Sequence, residues 1–261
     1  MSTQHPALVL ENLTLEYPDG ANNVLTALDS VSLTVHRGEL LSLVGPSGSG
    51  KSSLLSAAAA LIPPTRGSVR VGGASVTGMS QRQRAELRRD SLGIIFQQPN
   101  LLASLTAVEQ LILVADLRGE SRRAARQRAH EALEEVGLAE SAGRRPHQLS
   151  GGQRQRVNIA RALMGSPSVL LVDEPTAALD HGRSESIVRL LRQLTDQKQV
   201  ATVMVTHDTE FVPLTDTVAT MRDGSLSAPV STAAADPALA PSSWPSAPPP
   251  DRAVPTTLSV P

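Results

Sequence analysis

Apolar and polar residues alternate over Val31–Val35, the period of a half-buried strand, and the mostly apolar stretch Ala7–Leu15 also reads as a strand. Leu40–Val44 is instead an unbroken apolar run that leads into glycines, and Lys51–Leu61 after it reads as a helix. Ser68–Val71 and Leu92–Phe96 are further strands. From about Thr106 to Leu163 the pattern is almost wholly helical. Strand character returns at Val169–Val172 and Val200–Thr206, with a helix at Arg183–Gln193 between them. Asp216–Met221 and the Asp223-Gly224 turn close the patterned part. Strands alternating with helices predict an α/β core, here interrupted by a contiguous helical subdomain over about 98–163. There is no internal repeat.

The stretch Ser227–Pro261 differs from everything before it. It is built from Pro, Ala, Ser and Thr and holds nine of the 19 prolines. Without a periodic apolar face it cannot offset its ordering entropy, so a disordered tail is expected there, with Trp244 as a solvated residue or a docking anchor.

Composition narrows the classes. The 261 residues carry 24 basic against 25 acidic side chains, a net charge of -1, which argues against a nucleic-acid binder and predicts no such partner. The absence of cysteine excludes a disulfide scaffold, a thiol nucleophile and a Cys-ligated metal. No run of about 18 apolar residues is present to span a bilayer, and Met1–Pro6 lacks the order of a signal peptide. A cytoplasmic chain is expected, whose membrane part, if it has one, is supplied by a partner.

Only two lysines occur, Lys51 and Lys198, and the first lies in a glycine-rich stretch. Gly45-Pro46-Ser47-Gly48-Ser49-Gly50-Lys51-Ser52 matches G-x-x-x-x-G-K-[ST], between a strand and a helix, with Ser53 following. Glycines let the backbone wrap a phosphate, and N–H groups at the helix start point at the anion. Lys51 is placed for the β- and γ-phosphates and the Ser52 hydroxyl for Mg2+. The loop alone does not choose between ATPase, GTPase and kinase; guanine recognition commonly uses an Asn-Lys-x-Asp stretch, and neither lysine lies in one, which lowers the GTPase reading.

Two more motifs bear on the chemistry. Val169–Val172 ends in Asp173-Glu174. Asp173 is placed to support the magnesium. Glu174 is expected to point elsewhere by strand alternation and to polarise a water. Leu149-Ser150-Gly151-Gly152-Gln153 then precedes an Arg- and Ala-rich helix. Ser150 fits a cap, and the glycines bare N–H groups for a second anion.

With this third motif the chain resembles the nucleotide-binding subunits of ABC transporters, over about residues 7 to 226 and in that family's order. The resemblance implies α/β architecture: a P-loop NTPase core sheet, an antiparallel β N-terminal part and the inserted helical subdomain, all within 1–226. It implies that Leu149–Gln153 is the signature motif, reaching the γ-phosphate held by another protomer in a head-to-tail homodimer or pseudo-dimer with two ATPs between chains. Tyr17 resembles the aromatic that stacks on adenine, although a tyrosine before Pro-Asp-Gly also serves as a turn residue. Gln97 resembles the glutamine near Mg2+ and the attacking water, with its neighbour Gln98 as the alternative. Asp180 resembles the D-loop aspartate and His207 the switch histidine. A His207–Asp208 metal pair lacks a third ligand nearby.

Phe96–Leu102 and Arg145-Pro146-His147-Gln148 resemble the lipoprotein-release and macrolide-export branch. Asn158 stands where the family commonly has alanine. The implied function is ATP hydrolysis powering a separate integral membrane permease, at the inner face of the membrane. An alternative is an ABC-type ATPase that regulates cell division or the cell wall through a membrane partner. Leu101 and Leu102 are candidates for the groove that receives such a partner. The basic run Arg118, Arg122, Arg123, Arg126 and Arg128 reads as a solvated helix face or a contact to anionic headgroups.

Overall fold

The structure is a computed structural model and describes residues 6–19 and 23–234. Two sheets organise it. The first is antiparallel, in the order β2-β1-β4-β5, from β1 (Pro6–Asp19), β2 (Asn23–His36), β4 (Arg66–Val71) and β5 (Ala74–Ser75). The second follows the order β10-β9-β3-β8-β7-β6. Along that path lie β3 (Leu40–Val44), β6 (Leu92–Ile95), β7 (Val169–Asp173), β8 (Ala201–Val205), β9 (Thr217–Arg222) and β10 (Ser225–Leu226), and β11 (Val230–Ser231) joins the sheet by pairing with β9. Strands β3, β6, β7, β8 and β9 are mutually parallel and β10 returns antiparallel along β9.

The two strand patterns have two causes. In β2, Val31, Leu33 and Val35 are buried while Ser30, Ser32 and Thr34 are exposed, because only one face of the antiparallel sheet meets a core. In β3 and β8 every residue is buried. Strand β7 shows why: Val169 and Leu171 enter one core and Leu170 and Val172 the other, on opposite faces of the sheet. The first core lies under the antiparallel sheet, around Leu8, Leu28, Leu43 and Leu54. The second is filled from the helical side by Leu111, Leu133, Ile159 and Leu191.

The described residues also form six α-helices: α1 (Lys51–Ala58), α2 (Gln81–Ser91), α3 (Ala107–Leu117), α4 (Arg122–Glu135), α5 (Gly151–Leu163) and α6 (His181–Lys198). Side chains cap α2 to α6, through Ser80, Thr106, Ser121, Ser150 and Asp180. No side chain caps α1, whose N-cap is Gly50. The helical subdomain is α3, α4 and α5.

Several boundaries differ from the periodicity. Helix α1 ends at Ala58, three residues early, and Ala60 (φ 53°) turns the chain out of it. The helical stretch is broken at Arg118–Ser121 and again between α4 and α5, around Gly137 and Pro146. Helix α6 extends beyond Arg183–Gln193 at both ends. Helix α2 was not expected, because Leu87 is its only buried residue and the apolar stripe is missing; its Ser80–Gln83 capping box is the one local signal. Order also passes the expected limit at residue 226. Val230–Ser231 form β11, pairing with Val218 and Thr217 of β9, and Thr232 N donates to Asp216 O at 2.9 Å. The rest of the expected tail, Trp244 included, lies outside the described residues.

The basic run is not one solvated face. Arg122, Arg123 and Arg126 are exposed, but Arg118 pairs with Asp90 and Glu120, and Arg128 with Glu120 and the Met164 carbonyl.

Candidate active site

The glycine-rich loop leaves β3 at the C-terminal edge of the parallel strands and enters α1. Its glycines answer to close packing. A Cβ on Gly45 (φ 153°) would lie 2.1 Å from the Met221 carbonyl oxygen on β9. One on Gly50 (φ 104°) would lie 2.5 Å from the Ala27 carbonyl oxygen on β2. The loop is thus wedged between the two sheets, and its left-handed turn into α1 needs glycine.

Lys51 opens α1 and is buried. Its Nζ donates to the carbonyls of Gly45 and Pro46, each at 2.7 Å, closing the loop on itself. Burial pushes its pKa down, opposed by the charges of Glu174 and Asp173. Burial pushes Asp173 the other way, above the ordinary carboxylate range, opposed by Lys51. A buried cation therefore faces two acids.

Glu174 corrects one expectation. Strand alternation would aim it away from Asp173, yet both line the same cleft. Glu174 has φ 46°, and this left-handed turn ends the alternation while Glu174 N still donates to Val205 O at 3.0 Å. Glu174 Oε2 then meets His207 Nδ1 at 2.6 Å. Asp208, beside His207, accepts from Glu210 N at 3.2 Å and so caps the turn that follows.

The cleft has a volume of about 770 Å³. It gathers Tyr17, Gly45, Ser47, Gly48, Gly50, Lys51, Ser52, Ser53, Gln97, Asp173, Glu174 and His207. Gln97 lines it and Gln98 does not. Pro46 and Ser49 stay in the loop with their side chains outside it, Ser49 buried. Leu25, Thr26, Ala27, Val205, Asp223 and Gly224 also line it and were not anticipated as site residues. The Asp223-Gly224 turn was visible in the sequence, but only the packing of β10 on β2 and β9 brings it to the loop, where Gly224 N donates to Ser49 O at 3.0 Å.

Ser150, Gly151, Gly152, Gln153 and Asp180 are not in this cleft. Ser150 and Gln153 form a capping box: Gln153 N donates to Ser150 Oγ at 3.2 Å, and Ser150 N to Gln153 Oε1 at 2.9 Å. Asp180 caps α6 by accepting from Arg183 N at 3.0 Å. The two helix starts adjoin: a Cβ on Gly151 would touch Leu179, and one on Gly152 would touch Arg183. The chain thus carries a second surface of helix-start N–H groups, apart from its own cleft.

The donors around Lys51 are hard oxygens: the Ser52 hydroxyl, the Gln97 amide and the Asp173 carboxylate. Among the described residues no group of three or more His, Asp or Glu is arranged to hold a metal alone. That set suits Mg2+, which prefers one or two protein oxygens together with phosphate and water.

A parallel sheet with this loop at its edge, an acid pair beside it and a helical subdomain define a P-loop ATPase cassette. The ABC transporter family model matches residues 28–177, and the chain belongs to that family. It is 40% identical over 220 residues to a lipoprotein-releasing system ATP-binding protein, LolD 1, of Rhodospirillum rubrum, covering 84% of this chain and 97% of that one. It is 41% identical over 220 residues to the macrolide export ATP-binding/permease protein MacB of the same organism, covering 84% of this chain and 34% of MacB. An uncharacterized ABC transporter ATP-binding protein of Mycobacterium tuberculosis is 42% identical over 211 residues, 81% of this chain; the chain spans 63% of that relative's length. A solved dimeric ATP-binding cassette, in a post-hydrolysis state bound to ADP and Pi, superposes with a TM-score of 0.77 at 36% identity, over 86% of this chain and 98% of that one.

Proposed function

We propose that the cleft binds ATP with Mg2+ and hydrolyses it, in a dimer whose closure drives a separate membrane permease of the export or lipoprotein-release type. The observation that carries this reading is the Glu174–His207 bond beside the Lys51 loop: an acid poised against a histidine, at the mouth of a phosphate cradle.

In this reading Tyr17 stacks on adenine and the loop N–H groups take the phosphates. Lys51 exchanges its two carbonyl partners for phosphate oxygens, at little desolvation cost because it is already buried. Ser52, Gln97 and Asp173 would hold Mg2+, which neutralises phosphate charge when bound. Glu174 accepts the proton of the attacking water, and His207 orients Glu174. ATP and water become ADP and phosphate.

Dimer closure is supported by the second surface. Ser150–Gln153 and Asp180 adjoin one another outside the chain's own cleft, so a phosphate they reach belongs to another protomer. The relative bound to ADP and Pi is itself dimeric. The membrane partner is supported by likeness to the lipoprotein-releasing and macrolide-export proteins. Among the described residues no helix is long and apolar enough to cross a membrane, so the spanning part of such a transporter lies elsewhere. Leu102, half exposed five residues after Gln97, is the place where a permease helix would dock.

Glu174→Gln tests the reading. It keeps the shape and removes the base. ATP binding should persist, phosphate release should fall by at least about 100-fold, and the dimer should accumulate with ATP. Turnover at the wild-type rate would overturn the assignment of Glu174.

A further inference from the structure

The segment 96–105 leaves β6 and runs to α3, with Gln97 exposed at its start and facing the cleft. Side chains of the helical subdomain grip its backbone. Asn158 of α5, fully buried, donates Nδ2 to Phe96 O at 3.2 Å. Arg161, one turn on, donates Nη2 to Pro99 O at 2.8 Å and Nη1 to Asn100 O at 3.3 Å. The same Nη2 reaches Asn158 Oδ1 at 2.8 Å. Gln110 of α3 holds the later part, through Leu102 N, Leu102 O and Leu105 O.

Two features single out the first grip. The carbonyls it takes lie on either side of Gln97, so Gln97 sits on a backbone pinned before and after it. Both ends of the buried Asn158 amide are used, and leaving either unpaired would strand a buried polar group, so the arrangement is strongly specified. Helix α5 is also seated tightly against the strand that carries the segment: a Cβ on Gly93 of β6 would lie 2.7 Å from Ala162 O. At the other end of α5, about 12 Å away at 1.5 Å per residue, is the Ser150–Gln153 motif.

We propose that Asn158 and Arg161 are positioning residues for Gln97, tying the start of α5, and whatever anion it meets, to the chain's own cleft. This rests on the role given to Gln97 above. Neither residue touches the cleft; both act through the carbonyls of Phe96, Pro99 and Asn100.

The test is a double-mutant cycle on steady-state ATPase activity, with binding of a non-hydrolysable ATP analogue measured alongside. Asn158→Ala should lower kcat about tenfold and leave analogue affinity within about twofold. Gln97→Ala with Asn158→Ala should be no slower than Gln97→Ala alone, because Gln97 is what the grip positions. Arg161→Lys provides a second route that keeps the charge: a single ammonium lacks the two-nitrogen fork by which Arg161 reaches Pro99 O, Asn100 O and Asn158 Oδ1, and the same loss of additivity is expected. Gln110→Leu, which frees only the later part, should remain additive with Gln97→Ala. If Gln97→Ala is slow but the Asn158 and Arg161 effects multiply with it, the positioning role is wrong and the hydrolysis reading stands. Equal coupling from Gln110→Leu would reduce the effect to general loosening and overturn the proposal. If Gln97→Ala turns over at the wild-type rate, the role of Gln97 falls and the positioning role falls with it.

Discussion

Glu174 Oε2 lies 2.6 Å from His207 Nδ1, although 33 residues separate them. The contact joins the end of β7 to the loop after β8, two adjacent parallel strands. Glu174 is largely buried while His207 is two-thirds exposed, so the histidine reaches in from the open side. His207→Ala should therefore release Glu174 without disturbing the phosphate loop. The expected result is a fall in kcat of about 100-fold with KM for ATP nearly unchanged. A KM that rises with constant kcat would place His207 in binding instead.

The Asp173 carboxyl, held above its ordinary range by burial, has a signed consequence for stability. A carboxyl whose folded pKa exceeds its unfolded value holds its proton more tightly in the folded chain. That contribution is fully present below the unfolded value and is lost as pH rises through the folded one. At neutral pH the ionised group therefore opposes folding. Asp173→Asn should raise the thermal midpoint at pH 7 without nucleotide, by about 2 °C. The gain should shrink as pH falls through the folded value and vanish below about 4, where Asp173 is protonated in both states. Mg2+ and ATP together should then stabilise the wild type more than the variant.

Gly50 is a backbone requirement. At φ 104°, with a carbonyl oxygen 2.5 Å from where a Cβ would be, alanine must displace β2 or unwind the start of α1. Gly50→Ala should cost about 2–3 kcal/mol in a denaturant titration and abolish nucleotide binding. Gly48→Ala is a useful contrast: its φ is also positive, but its Cβ would meet nothing within 4 Å, so the loss should be smaller.

Ser150 separates the two surfaces. Ser150→Ala removes the oxygen that accepts from Gln153 N and should cost about 1 kcal/mol of stability as a lost cap. Since Ser150 lies outside the cleft, the isolated chain should bind ATP as the wild type does. ATP-dependent dimerisation, followed by light scattering in a Glu174→Gln background, should weaken. Loss of ATP binding by the monomer would place the motif in the chain's own site.

Much of the candidate site is legible in the order of residues. The phosphate loop is local: its glycines, lysine and serine are consecutive, and strand and helix flank them as the pattern predicts. Buried parallel strands were legible as unbroken apolar runs, because both of their faces meet cores. Helix α2 escaped because a polar helix with one buried residue leaves no periodic trace. Strand β11 escaped because two residues added to a sheet edge are stabilised by their partner strand, not by their own composition.

The order of residues along the chain makes three sets of groups available: a lysine in a glycine loop, an Asp-Glu pair after an apolar strand, and a Ser-Gly-Gly helix start. Each is set by neighbours along the chain. Tertiary structure alone decided how they are grouped. It brought Asp173 and Glu174 into one cleft through a left-handed turn, and joined Glu174 to His207 across β7 and β8. It brought Gln97, and not Gln98, to the lining of the cleft, with α5 pinning the backbone around it. It set Ser150–Gln153 apart from the cleft. The physical reason is that these relations depend on strand order and packing between distant segments, where hydrogen bonds and burial compete across the whole fold.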